Sequence, residues 1–144
     1  MNSSVLVISK PNEESFVSEV CEKILVMDDE EIVADIAKQM LVYLGYEVTS
    51  VENGEEAVSE YRKAHELGES YSLVIMDLNI PNGMGGMEAV KQVLDIDENA
   101  RVLVSTGYSS DSIMNDYGAY GFSGCIAKPF DLKGLQEAVQ AAIK

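Results

Sequence analysis

Leu73-Val-Ile-Met-Asp77 is a run of four apolar residues that closes on a carboxylate, and how it is read decides the fold. The run is too short for a helix and shows no polar alternation, which is the pattern of a strand buried on both faces. Ile24-Leu-Val-Met27 and Val102-Leu-Val104 show the same pattern, and Gly124-Cys-Ile-Ala127 comes close to it. Tyr46-Glu-Val-Thr-Ser-Val51 alternates instead, as a strand at a sheet edge does.

Working outward, the segments between these runs carry helical periodicity. Val33, Ile36, Ala37, Met40, Leu41 and Leu44 fall on one face, and Gly45 stands where that helix stops. Glu55 to Leu67 follows Asn53-Gly54 and ends at Gly68, Met87 to Leu94 gives a third helix, and Ser110 to Tyr117 a shorter fourth. Leu132, Leu135, Val139, Ala142 and Ile143 mark the last, with Asp131 as its N-cap. Strands each followed by a helix predict an α/β domain, a parallel sheet covered on both faces by right-handed crossovers. Strand order stays open at this point. Residues 1–22 read as an N-terminal extension or linker, in which Val5-Leu-Val-Ile8 has the composition of a short strand; residues 23–144 read as one domain.

Composition narrows the function classes. The 144 residues are 47% hydrophobic, enough for a folded core. Acidic residues outnumber basic ones 25 to 10, a net charge of −15 that disfavours direct nucleic-acid binding and anionic membranes. No apolar run approaches the roughly 20 residues of a membrane span. The first residues lack the cationic and apolar pattern of a secretion signal, so a cytoplasmic setting is expected. Cys21 and Cys125 fit no metal-ligand spacing and read as reduced thiols.

The chemistry-bearing residues sit where the strands end. The first strand runs into Asp28-Asp29, the third into Asp77, the fourth into Ser105-Thr106 and the fifth into Lys128-Pro129. Open α/β sheets bind ligands outside the carboxyl ends of their strands, so three carboxylates, a hydroxyl and an ammonium are expected to share one crevice. Gathered carboxylates repel one another unless a cation sits among them, and an all-oxygen set suits Mg²⁺. Taken alone, Asp28-Asp29 also fits a helix N-cap with a solvated neighbour. Beside a metal and Lys128, Asp77 becomes a nucleophile toward a phosphoryl donor. Gly107, after Thr106, lets backbone come close to a ligand.

Asp28-Asp29, Asp77, Thr106-Gly107 and Lys128-Pro129-Phe130, in this order and spacing, resemble the response-regulator receiver domains of two-component signalling over about residues 23–143. The resemblance implies a flavodoxin-like doubly wound five-stranded parallel sheet of order 2-1-3-4-5 with helices on both faces. It implies Asp77 as phosphoacceptor and Mg²⁺ held by Asp28, Asp29, Asp77 and the backbone carbonyl of Asn79. Thr106 and Lys128 would hold phosphoryl oxygens, and Lys128-Pro129 would be cis. The phosphoryl group would come from a sensor histidine kinase or phosphotransfer protein in a phosphorelay. The output would pass to an unknown downstream protein, and no turnover enzyme is implied. Asn79 and Tyr108 would tune phosphoryl lifetime.

The stretch Asp77 to Glu88, with Ser105-Thr-Gly-Tyr-Ser109, is similar to receivers attached to hybrid sensor kinases, so a stand-alone receiver and one belonging to a larger kinase both remain open. A haloacid-dehalogenase-like phosphatase also uses an aspartate after a strand, but it expects an acid two residues on, where this chain has Asn79. Cys125 occupies the place where the receiver family has an aromatic residue that relays phosphorylation; it reads as a small buried strand residue. His65 reads as a solvent-exposed histidine on a polar helix with no apparent metal or catalytic partner.

Overall fold

The computed structural model describes residues 21–81, 83–107 and 113–143. The expected Val5–Ile8 strand, Tyr108 and the first residues of the expected fourth helix lie outside these. The elements, in chain order, are β1 (Lys23–Met27), α1 (Glu31–Tyr43), β2 (Glu47–Val51), α2 (Gly54–Glu66) and β3 (Leu73–Asp77). They continue with α3 (Gly86–Ile96), β4 (Val102–Thr106), α4 (Ile113–Asp116), a 3₁₀ turn (Tyr117–Tyr120), β5 (Gly124–Ala127) and α5 (Leu132–Ile143). The strands form one parallel sheet of order β2-β1-β3-β4-β5, so the flavodoxin-like order is observed.

Burial follows the sequence pattern. The unbroken runs of β3 and β4 are buried at every position, whereas the alternating β2 lies at an edge, half-exposed. Successive side chains of a strand point to opposite faces, so the sheet feeds two cores. Leu25, Met27, Val74, Met76, Val102 and Val104 pack against α2 and α3 through Ala57, Tyr61, Ala89, Val90 and Val93. Ile24, Val26, Ile75, Leu103 and Ile126 pack on the other face against α1 and α5 through Ala37, Leu41, Leu135 and Val139.

The helix ends show why the chain turns where it does. Asn53 Oδ1 accepts the Glu56 N–H at 2.9 Å, and Glu56 Oε1 accepts the Glu52 N–H at 2.9 Å, a reciprocal cap for α2. Asp131 Oδ1 accepts the Gly134 N–H at 2.7 Å, the cap expected for α5. Helix α1 ends at Tyr43 and the chain leaves it through Gly45 at φ 102, a conformation that costs glycine little. Of the expected fourth helix, Ile113–Asp116 are α-helical among the described residues, and the chain then passes into a 3₁₀ turn closed by Gly121 at φ 101. Gly118, a weak helix former, lies within that 3₁₀ turn.

At the amino ends of the strands a polar lattice ties the layers together. Tyr61 donates its hydroxyl to Asp97 Oδ2 at 2.8 Å, and Tyr71 donates to Glu60 Oε2 at 2.7 Å. Burial, with Asp97 beside it, raises the Tyr61 phenol well above its ordinary range. Burial first, then the hydrogen bond and charge of Glu60, push Tyr71 up to about 12. The Lys23 ammonium lies 5.2 Å from the centre of the Tyr71 ring. Both phenols therefore stay protonated and bonded at physiological pH.

At the opposite end α2 is clamped to the loop after β3. Gly54 donates its N–H to the Met84 carbonyl at 2.7 Å, and Glu55 Oε1 accepts the Met84 N–H at 3.1 Å. A Cβ on Gly54 would lie 2.7 Å from that same carbonyl oxygen. Alanine is ordinarily the better helix residue, but here the clash outweighs propensity. Gly54→Ala is expected to destabilise the fold by about 1–3 kcal/mol in urea unfolding; an unchanged or higher midpoint would refute this.

Candidate functional site

The carboxyl ends of β1, β3, β4 and β5 deliver the site residues, as their place after buried runs predicts. Asp28 and Asp77 are themselves buried, 5% and 8% exposed, while Asp29 beside them is exposed. One carboxylate oxygen from each of Asp28, Asp29 and Asp77 lies within 4.8 Å of the others. The Lys128 ammonium reaches into this group, 2.7 Å from Asp28 Oδ2 and 3.4 Å from Asp77 Oδ2. The peptide bond that follows it, Lys128–Pro129, is cis.

Neither aspartate of the pair caps α1. Glu30 holds the N-cap position and makes no side-chain cap bond. Asp28 Oδ1 instead accepts the Glu30 N–H at 2.9 Å, folding the chain back so that Oδ2 faces Lys128. The helix-cap reading of Asp28-Asp29 is therefore replaced by membership of the acidic cluster.

Asp77 is held by its surroundings. Its Oδ1 lies 3.4 Å from the N–H of Asn79, and the Leu78 N–H donates to the Ser105 carbonyl at 3.0 Å. A Cβ on Gly86 would stand 2.9 Å from the Asp77 carbonyl oxygen, so a bare glycine is what lets α3 start against the end of β3. Thr106 is fully buried, and its carbonyl accepts the Lys128 N–H at 2.8 Å, which fixes the end of β5 to the end of β4.

Charge sets the chemistry. Three carboxylates against one ammonium leave the cluster two negative charges in excess if all are ionised. Burial raises the Asp77 pKa; Lys128 opposes that shift and Asp28 adds to it. Burial would lower the Lys128 pKa, but its bond to Asp28 and the charges of Asp77 and Asp28 hold it above the ordinary lysine value. Lys128 is therefore a permanent cation, and the excess negative charge, carried on oxygen ligands alone, is the complement of a small divalent ion such as Mg²⁺.

The response regulator receiver domain family matches residues 24–140. This chain belongs to that family. Sporulation initiation phosphotransferase F of Bacillus subtilis is 33% identical over 119 residues, 83% of this chain and 91% of that protein. The solved chemotaxis protein CheY4 of Vibrio cholerae superposes with a TM-score of 0.75 at 28% identity, covering 85% of this chain and 99% of that one. A response regulator from Burkholderia pseudomallei, solved with a phosphorylated aspartic acid, a calcium ion and citrate, superposes with a TM-score of 0.69 at 27% identity. Its match covers 85% of this chain and 66% of that one. The receiver domain is thus a two-component signalling module, and its family binds Mg²⁺ at an acidic pocket of this kind. Among the described residues no helix is long and apolar enough to cross a membrane.

Two further residues are clarified by the receiver structure. Cys125 is half-buried on β5 against the core that α2 and α3 cover, and burial pushes its thiol pKa up, so it is a packing residue with little thiolate. His65 is exposed but does have neighbours: Nδ1 lies 2.8 Å from Ser70 Oγ and 3.8 Å from Asp97 Oδ2. Both contacts fall on the same ring nitrogen, so this trio is no nucleophile relay, which needs one partner on each. Ser70 follows His65 closely, but Asp97 comes from the loop after α3, and no local pattern joins it to them.

The sign of the Asp77 shift yields a stability prediction. A folded-state pKa above the unfolded value means that ionising Asp77 works against folding, a penalty absent at acidic pH and complete above the folded pKa. Asp77→Asn removes it, and is expected to raise the Tm of the metal-free protein by roughly 2–4 °C at pH 7.5. The gain should vanish below pH 4, and a substitution that lowers the Tm at pH 7.5 would contradict this account.

Proposed function

We propose that this receiver accepts a phosphoryl group on Asp77 from the phosphohistidine of a sensor histidine kinase or phosphotransfer protein, in a Mg²⁺-dependent step. The observation that carries the reading is the Lys128 ammonium set between Asp28 and Asp77 within a three-carboxylate cluster. The phosphorylated aspartic acid and bound cation of the Burkholderia relative support it, as does the name of the Bacillus phosphotransferase.

Asp28, Asp29, Asp77 and the Asn79 backbone carbonyl would hold the metal, which neutralises phosphoryl charge and aligns the incoming group. In the transfer, an Asp77 carboxylate oxygen forms a bond to phosphorus as the N–P bond of the donor breaks; the electron pair returns to the imidazole nitrogen, and the ring takes up a proton from water. Lys128 stays protonated throughout and pairs with a phosphoryl oxygen, and the Thr106 hydroxyl donates to another. Asn79 is an amide with no proton to give a leaving group, so the site loads and unloads Asp77 and does not turn over phosphomonoesters.

Rearrangement around Thr106 would shift the surface formed by α4, β5 and α5, which contacts a downstream protein. With Cys125 in β5, that shift proceeds without an aromatic ring at this position. The setting is the cytoplasm, where ATP-dependent kinases charge the donor. A receiver within a hybrid kinase would use the same chemistry.

Acetyl phosphate with Mg²⁺ tests the reading by intact-mass spectrometry. Wild type should gain one phosphoryl group, Asp77→Asn none, and EDTA should abolish the gain. Lys128→Ala should slow it on the order of 100-fold. Equal labelling of Asp77→Asn would sink the proposal.

A further inference from the structure

Ser105 is 3% exposed, and its Oγ is, among the described residues, the buried side-chain polar atom that has no hydrogen-bond partner. A hydroxyl in that state destabilises the fold relative to an alanine of the same backbone. Its position gives it a use.

Ser105 pairs in register with Asp77 on one side and with Ile126 on the other. Side chains alternate along a strand, and register partners in a sheet share a face. Ile75 and Leu103 are such partners, and both lie in the core under α1 and α5. Two residues further along, Asp77 and Ser105 point to that same face, and the Lys128 ammonium reaches Asp77 Oδ2 at 3.4 Å. Strand β4 lies between β5 and β3. To reach Asp77 and Asp28 from the end of β5, the Lys128 side chain passes the end of β4, where Ser105 stands beside Asp77.

An ammonium has three protons to donate. In this structure Asp28 Oδ2 takes one at 2.7 Å, with Asp77 Oδ2 at 3.4 Å. Both carboxylates are ones the proposed function assigns to a metal, and Asp77 becomes an ester on phosphorylation. Lys128 must then loosen its hold on Asp28. The geometry points to Ser105 as a positioning residue whose hydroxyl is the reserve acceptor for the Lys128 ammonium when Asp28 turns to a cation. A neutral hydroxyl suits this task because it accepts a hydrogen bond without drawing the cation away from the carboxylates. The inference rests on the proposed function for its purpose, but on Ser105, Lys128 and Asp28 alone for its geometry.

Two substitution pairs isolate the hydroxyl, Ser105 against Ser105→Ala, and Ser105→Thr against Ser105→Val, which have nearly the same shape. Mg²⁺ affinity is read by calorimetry, phosphorylation by acetyl phosphate labelling, and stability by urea unfolding. Ser105→Ala and Ser105→Val should weaken Mg²⁺ binding and slow labelling on the order of 3- to 10-fold. Ser105→Thr should stay within about twofold of wild type, a contrast that a purely structural role would not produce. Ser105→Ala should unfold at the same urea concentration as wild type or a higher one. Ala and Val variants that bind Mg²⁺ like wild type, or Thr and Val variants equally impaired, would overturn the inference. Wild type that binds Mg²⁺ with this hydroxyl dependence yet never gains phosphate would instead overturn the proposed function and leave the role of Ser105 standing. Wild type that binds no Mg²⁺ overturns both.

Discussion

Lys128 reaches from the end of β5, across β4, to carboxylates on β3 and β1, and this bridge fixes the geometry of the carboxyl end of the sheet. Two buried aspartates repel each other and resist ionisation away from water; an ammonium between them offsets both effects. Removing the ammonium from such a buried group typically costs about 3–5 kcal/mol, because the carboxylates are left uncompensated. The same arrangement is poised for change. The lysine covers only part of the negative charge, so a cation or a phosphoryl group entering the cluster must redistribute its contacts.

Much of the fold was legible in the sequence because burial on both faces leaves an unambiguous mark. The runs at Leu73 and Val102 have no polar residue to place outward, and they became the fully buried central strands. The alternating run at Tyr46 became the edge. Strand order was not legible in periodicity, since any arrangement of βα units buries the same residues; it came from the resemblance. The fourth helix was only partly legible. Gly118 and Gly121 were visible, but where the α-helix yields to a 3₁₀ turn depends on contacts with α3 and β5.

At the site, Asp28, Asp77 and Lys128 were legible because ionisable residues directly after buried strands have only the crevice to occupy. The direction of each contact was not. Asp28 divides its two oxygens between the Glu30 N–H and Lys128, which no spacing rule distinguishes from a helix cap. Ser105 was visible at the end of the fourth strand but carried no role of its own, and only register with Asp77 and its unpartnered hydroxyl give it one. The Met84 clamp on Gly54 joins residues 30 apart and was likewise invisible in local pattern.

The tyrosine lattice at the amino ends of the strands bears on how such a module can move. Tyr61 and Tyr71, held by Asp97 and Glu60, staple α2 to the loops that enter β4 and β3. That pole of the sheet is tied by phenol hydrogen bonds remote from the acidic cluster, while the other pole is tied in part by the ion pairs of Lys128. This asymmetry gives a small domain a direction: a charge change at the carboxyl pole alters the ion pairs there and leaves the phenol bonds at the other pole in place. It is delivered to the elements that meet there.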